Sequence, residues 1–138
     1  MTTDCIFCKI IAKDIPSDII YESELVLVFM DIMPLSDGHV LVLPKAHYET
    51  IFDMNEALSG EIMKVAWKVA NVLKKTLEPD GLNLLQNNYK AANQVVPHFH
   101  LHLIPRNTGD NLNVGKWTPK KSDKENLKQI TKQLKNQF

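Results

Sequence analysis

In "VVPHFHLHLIPR", residues Val95 to Arg106, three histidines alternate with Phe99, Leu101 and Leu103. The chain holds five histidines in 138 residues, so most of its imidazole sits in this one segment. Alternate side chains of a β-strand point to opposite faces, which places His98, His100 and His102 on one face at roughly 6–7 Å intervals. Phe99, Leu101 and Leu103 line the other face and bury. A helix would instead scatter the imidazoles over about 200° of its circumference. The flanks agree with a strand: Pro97 suits a first strand position and Pro105 marks the end. A compositional histidine tract would not need large apolar partners at every second place. A half-buried strand whose polar face is histidine is a second bland reading. Three neighbouring imidazoles more readily serve nucleophilic, acid–base or metal chemistry.

Around this strand the pattern is that of one domain with its own core. Hydrophobic residues make up 44% and charged residues 23%, and 16 basic residues balance 16 acidic ones. The neutral balance argues against a general nucleic-acid or membrane-surface binder. The N-terminus "MTTDCIFCKII" has no signal-peptide pattern, and no apolar run is long enough to span a bilayer. The expectation is a cytoplasmic chain with reduced thiols.

Ile6–Ile11 reads as a short helix, and "DIIYES" and "LVLVFMDI" as strands with a turn near Ser23 and Glu24. Asp37-Gly38 is a turn before the strand "HVLVLPK". Leu58, Ile62, Val65, Val69 and Leu73 recur at helical spacing, which predicts a long helix over Asn55–Leu77, closed by "PDG". "LNLLQNN" is a further strand, and "NYKAANQ" a polar loop leading into the histidines. An irregular stretch with Gly109, Gly115 and Trp117 follows Arg106. Ser122 and Glu125 suggest a capping box for a final helix carrying Leu127, Ile130 and Leu134. Strands joined by short turns, with one long helix, predict an antiparallel sheet in an α+β domain.

A second constellation is "CIFC", Cys5 to Cys8. Alone, C-x-x-C is weak: it fits a redox pair, two core thiols or half a zinc site. Ile6 and Phe7 stand where redox motifs often carry Gly-Pro. With no third cysteine, zinc would draw its other ligands from His39, His47, His98, His100, His102 or carboxylates. Spacing alone does not choose among them.

"HFHLHLIPR", together with "CIFCKIIAKDIPSDIIYE", "FMDIMPLSDGHVLVLPKAH" and "GLNLLQNN" in that order, resembles the histidine triad (HIT) family of nucleotide hydrolases and transferases, close to its Hint and Fhit branches. The resemblance covers about residues 1–106 of a single domain spanning 1–138; residues 107–138 read as a variable C-terminal extension. It implies a HIT-like antiparallel sheet with one long helix, a short N-terminal helix and a C-terminal helix, paired with a second copy as a homodimer. It further implies hydrolysis at the α-phosphate of a purine nucleotide conjugate, either a nucleoside phosphoramidate or a dinucleoside polyphosphate. The middle histidine, His100, would attack phosphorus and form a nucleotidyl-histidine. His102 would contact the phosphate, and His39 would support the triad by hydrogen bonding. Asp31 matches the carboxylate that takes the ribose hydroxyls, although it also reads as a turn residue before Pro34. Asn87 matches the family's site asparagine. Ile6, Phe7, Ile10, Ile15, Phe29 and Ile32 match an apolar purine pocket. Structural zinc is implied on Cys5, Cys8, His47 and His98, with no organic cofactor.

Two departures stand out. The family usually has Gly-Gln-Ser or Gly-Gln-Thr where this chain has Asn93-Gln94-Val95. Gln94 and Val95 then fall on the phosphate side of the site. Val95 has no hydroxyl to donate, although its backbone N–H remains. That loss favours an alternative, a dimeric nucleotide sensor or scaffold with weak residual turnover.

Overall fold

The computed structural model describes residues 4–116 and 123–138. It is an α+β fold built on one five-stranded antiparallel sheet. In chain order the elements are α1 (Ile6–Ile11), β1 (Ile19–Glu22), β2 (Val26–Met30), β3 (Val40–Pro44), α2 (Glu56–Leu77), β4 (Gly81–Gln86), β5 (Leu101–Arg106) and α3 (Lys124–Lys135). Two short 3-10 turns, Ile51–Asp53 and Lys90–Ala92, lie in the loops. The strand order is β1-β2-β3-β5-β4, which leaves β5 in the interior and β4 on an edge.

Alternation within the strands sorts the core into two layers. Val26, Val28 and Met30 of β2, Val40 and Val42 of β3, and Phe99, Leu101 and Leu103 share one layer with the apolar faces of α2 and α3. Leu27 and Phe29 of β2, with Leu41 and Leu43 of β3, form the other layer against Cys5, Phe7, Cys8 and Ile10. Every residue of β2 and β3 is therefore buried, as expected of strands covered on both faces.

The long helix begins where the sequence predicts. Asn55 is its N-cap, with Oδ1 accepting from the Leu58 N–H at 2.8 Å. It ends at Glu78 in the left-handed region. Gly38 has φ +87°, and a Cβ there would run into the Leu77 side chain. The β2–β3 turn therefore needs glycine both for its backbone angle and to pass the end of α2.

Two local expectations are corrected. The ladder of β5 starts at Leu101 rather than His98 and runs through Pro105 to Arg106. Before Leu101 the chain is diverted: the His98 N–H bonds to Val96 O and the Phe99 N–H to Tyr48 O. Pro105 is tolerated because the last β3 pair, Val40 with Leu103, lies behind it. The cap of α3 is Asp123, whose carboxylate accepts from the Glu125 and Asn126 N–H groups; Ser122 and Trp117 lie outside the described residues.

Candidate functional site

The imidazoles gather on the face of β5 opposite α2. His102 pairs with Leu41 of β3 and Leu85 of β4. The alternation continues upstream of the ladder, so His100 and His98 lie on the same side, and the Phe7 ring meets both edge-on at centroid distances of 5.0 and 6.0 Å. His100 and His102 are themselves in T-shaped contact, 4.9 Å apart. All three are buried, as is His39 just before β3.

Hydrogen bonds fix the tautomer of each ring, through backbone groups for His39, His98 and His100 and through His39 for His102. The Leu35 N–H donates to His39 Nδ1 at 3.0 Å, so the His39 proton sits on Nε2. His39 Nε2–H in turn donates to His102 Nδ1, also at 3.0 Å, which leaves the His102 proton on Nε2. His100 Nδ1–H donates to the His98 carbonyl at 2.7 Å, which leaves the lone pair of His100 on Nε2. His98 Nε2–H donates to the Pro44 carbonyl at 2.8 Å, which leaves the lone pair of His98 on Nδ1. These assignments hold for neutral rings, and burial keeps the rings neutral. It pushes His39 down to about 3, with help from nearby His100. It pushes His102 down to about 2, with help from His100 and His39. Burial also lowers His100, against the pull of the His98 carbonyl.

Asp31 follows β2 at the rim of this cluster. Its Oδ1 accepts from the Met33 N–H at 2.8 Å, and its Oδ2 lies 3.6 Å from His39 Nε2. Burial raises its pKa, partly offset by the Met33 N–H. Asn87 sits one residue beyond the Gln86–Leu101 pair, at the level of His100. Its side-chain amide donates to Asn93 O at 3.4 Å. Gln94 is buried and spans its own loop: Oε1 accepts from the Tyr89 N–H at 2.7 Å and Nε2 donates to Glu49 O at 2.6 Å. Val95 is 88% exposed. Of the expected purine pocket, Phe7, Ile10 and Phe29 are buried in the core layer beneath the histidines and Ile15 packs at its margin. Ile6 and Ile32 are exposed.

Cys5, Cys8, His47 and His98 converge at the other end of the histidine face, with their ligand atoms all within 4.8 Å of one another. Cys8 Sγ lies 3.3 Å from His47 Nδ1 and 3.6 Å from His98 Nδ1; Cys5 Sγ lies 3.4 Å from His98 Nδ1. The two Nδ1 atoms are 3.2 Å apart. Ordinary zinc bond lengths in a tetrahedron give N–N edges of ~3.4 Å and S–N edges of ~3.6 Å. The donor set fits zinc in kind and in spacing. The Pro44 carbonyl on His98 Nε2–H turns Nδ1 toward that point, the usual outer partner of a metal-bound histidine. Burial, foremost, lowers His98 to about 4 and keeps it unprotonated, as a ligand must be.

Asp31, His39 and His102 form a second such group, and the same reasoning counts against a metal there. A metal on His39 Nε2 would move its proton to Nδ1, where it would face the Leu35 N–H. The backbone partners that fix these tautomers are one donor, Leu35 N–H, and two acceptors, His98 O and Pro44 O, and no residue pattern announces them.

A family model described as the HIT domain matches residues 12–109. Cys5 and Cys8 lie ahead of that match. The protein named Protein hit of Bacillus subtilis is 47% identical over 103 residues, 75% of this chain and 71% of its own length. Adenosine 5'-monophosphoramidase HNT1 of Saccharomyces cerevisiae is 40% identical over 131 residues, 94% of this chain and 80% of its own length. The crystal structure of a zinc-bound histidine triad family protein from Mycobacterium smegmatis superposes with a TM-score of 0.85 at 34% identity, covering 97% of this chain and 94% of that one. The alternating triad, the fold and these matches agree, and the chain belongs to the HIT-domain family.

Proposed function

We propose that the chain is a nucleotide hydrolase that releases a nucleoside monophosphate from a purine nucleoside phosphoramidate or related conjugate, through a nucleotidyl-histidine at His100. The observation that carries this reading is the tautomer of His100. With Nδ1–H held by the His98 carbonyl, Nε2 keeps its lone pair for phosphorus. The reaction has two displacements. His100 Nε2 bonds to the α-phosphorus as the bond to the leaving group breaks, and the departing group takes a proton. Water then adds to phosphorus, gives up a proton and expels the His100 ring. His102, whose proton is on Nε2, is the ring suited to donate to the phosphate or leaving group, and His39 holds it in that form. Asp31 takes the ribose hydroxyls, Asn87 lies beside the phosphate, and Ile6 and Ile32 close over the base. Gln94 acts by holding the loop before Val95. Support for the reaction class also comes from the yeast relative, whose name is an adenosine 5'-monophosphoramidase.

Zinc on Cys5, Cys8, His47 and His98 would crosslink the N-terminal segment to the histidine face. Its thiolates suit a reducing, cytoplasmic setting; among the described residues no helix is long and apolar enough to cross a membrane. A homodimer is supported by the edge position of β4 among the described strands and by exposed Met63 and Trp67 on the outer face of α2. The exposed Val95, with no hydroxyl to offer the phosphate, favours the second reading, a nucleotide sensor with slow turnover. Incubation with adenosine 5'-phosphoramidate, followed by chromatography for AMP, separates the two: many turnovers per chain support the hydrolase, and tight binding without AMP release supports the sensor.

A further inference from the structure

Phe52 and Tyr89 are aromatic side chains standing in solvent, 74% and 54% exposed. They come from different loops and are stacked, with centroids 6.0 Å apart and planes 11° from parallel. Contiguous exposed apolar surface rimmed by polar residues marks a contact site more often than isolated exposed side chains do. Both loops are fastened. Thr50 and Asp53 close a capping box around the Ile51–Asp53 turn. The Ile51 N–H donates to Asn88 Oδ1 at 2.8 Å, which ties that turn directly to the residue before Tyr89. The Tyr89 N–H donates to the buried Gln94 amide, whose other end holds Glu49 O.

Tyr89 also carries backbone strain. Its φ of 68° and ψ of 162° lie in a region that is essentially glycine's own. A tyrosine persists there because its surroundings force it, and such positions cluster at ligand contacts. The fastenings lead back to the histidines. Asn87, two residues before Tyr89, is level with His100. Gln94 immediately precedes Val95, on the phosphate side of the proposed site. Tyr48, four residues before Phe52, accepts the N–H of Phe99, which lies between His98 and His100.

We infer that the Phe52–Tyr89 pair is a specificity-determining platform for the leaving group, and that it selects conjugates whose leaving group carries a flat aromatic ring. The inference rests on the proposed hydrolase reading for the direction in which the leaving group departs. Two sources supply such a ring, an arylalkylamine bonded to phosphorus or the second base of a dinucleoside polyphosphate. The adenosine side of the substrate is held by Asp31 and the rim residues, so the platform governs choice among adenylates rather than recognition of adenosine.

The test uses binding to the full chain, so it stands whether or not turnover is found. Calorimetry compares adenosine 5'-(2-arylethyl)phosphonate with adenosine 5'-methylphosphonate, whose P–C bonds do not leave. A second pair compares methylene-bridged diadenosine diphosphate with α,β-methylene ADP. In at least one pair the ring-bearing compound should bind about tenfold tighter, the size of one base–aromatic stack, and that pair identifies the source. Phe52→Ser should reduce the preference below about threefold. Tyr89→Gly, which suits the backbone, should do the same without loss of thermal stability. Equal binding within both pairs, or a preference that survives Phe52→Ser, would overturn the platform. So would a Phe52→Ser chain that sediments at a lower mass, which would make the pair a subunit contact. A chain that shows the preference but hydrolyses no phosphoramidate would retain the platform and lose the proposed reaction.

Discussion

His100 Nδ1 lies 2.7 Å from the carbonyl oxygen of His98. One residue therefore offers its ring to the sulfur cluster and its backbone to the proposed nucleophile. The two sites are distinct in chemistry and joined through a single peptide group, so disturbing the first should be felt in the second.

Cys8→Ala removes a buried thiol that contacts both His47 and His98. We expect loss of about one zinc per chain by metal analysis and a destabilisation of roughly 2 kcal/mol, or about 5–10 °C in Tm. Parent protein purified without metal, with a melting curve unmoved by chelators, would remove the zinc assignment.

His39→Ala should leave His100 in place and release His102 from its hydrogen bond. The expected loss in kcat is about 10- to 100-fold, smaller than for removal of the nucleophile. His39→Gln, whose amide can still donate toward His102, should recover part of it. Equal activity of His39→Ala and parent would mean that the His39–His102 bond has no part in turnover.

Acid should unfold this protein through its buried imidazoles. His39 and His102 sit near 3 and 2 when folded, against 6.5 in an open chain. Between those values the unfolded chain binds more protons, so stability rises with pH there and falls as pH drops below 6.5. Asp31, whose pKa is raised by burial, acts in the opposite direction. Denaturant midpoints that stay flat from pH 7 to 5 would contradict the buried, neutral histidines. Because His100 is also lowered, the acid limb of kcat/KM should lie below 6.5.

Trp67 is 66% exposed on α2, beside exposed Met63. If α2 and the β4 edge meet a second copy, sedimentation at micromolar concentration gives twice the 15.7 kDa chain, and Trp67→Glu shifts it toward the monomer. A parent chain that sediments near 15.7 kDa would defeat the homodimer.

Much of this was legible in the chain. Period-two alternation of His98, His100 and His102 against Phe99, Leu101 and Leu103 announced a two-faced segment, and the 3.6-residue pattern from Leu58 to Leu73 announced α2. The segment's hydrogen bonding was not legible. β4 ends at Gln86, opposite Leu101, and the N–H groups of His98 and Phe99 go instead to Val96 O and Tyr48 O. Periodicity reports which face a side chain takes, not which backbone group pairs. The cap of α3 was missed by one residue because Ser122 and Asp123 are both good caps in sequence. In the site, residue types pointed to the histidines and thiols, and the resemblance chose among them. The tautomers rest on Leu35 N–H, His98 O and Pro44 O, backbone atoms that every sequence possesses. The stacked Phe52–Tyr89 pair joins loops 37 residues apart in the chain and gave no sequence signal.

The most direct test is to mix the chain with adenosine 5'-phosphoramidate labelled in the adenylate, quench within one turnover, and locate the label by peptide mass spectrometry under conditions that spare phosphohistidine. Adenylate is expected on His100 and absent from His100→Ala, with AMP release by that variant reduced by more than about 1,000-fold while AMP binding persists. Label on His98 or His102, or an undiminished rate in His100→Ala, would contradict it.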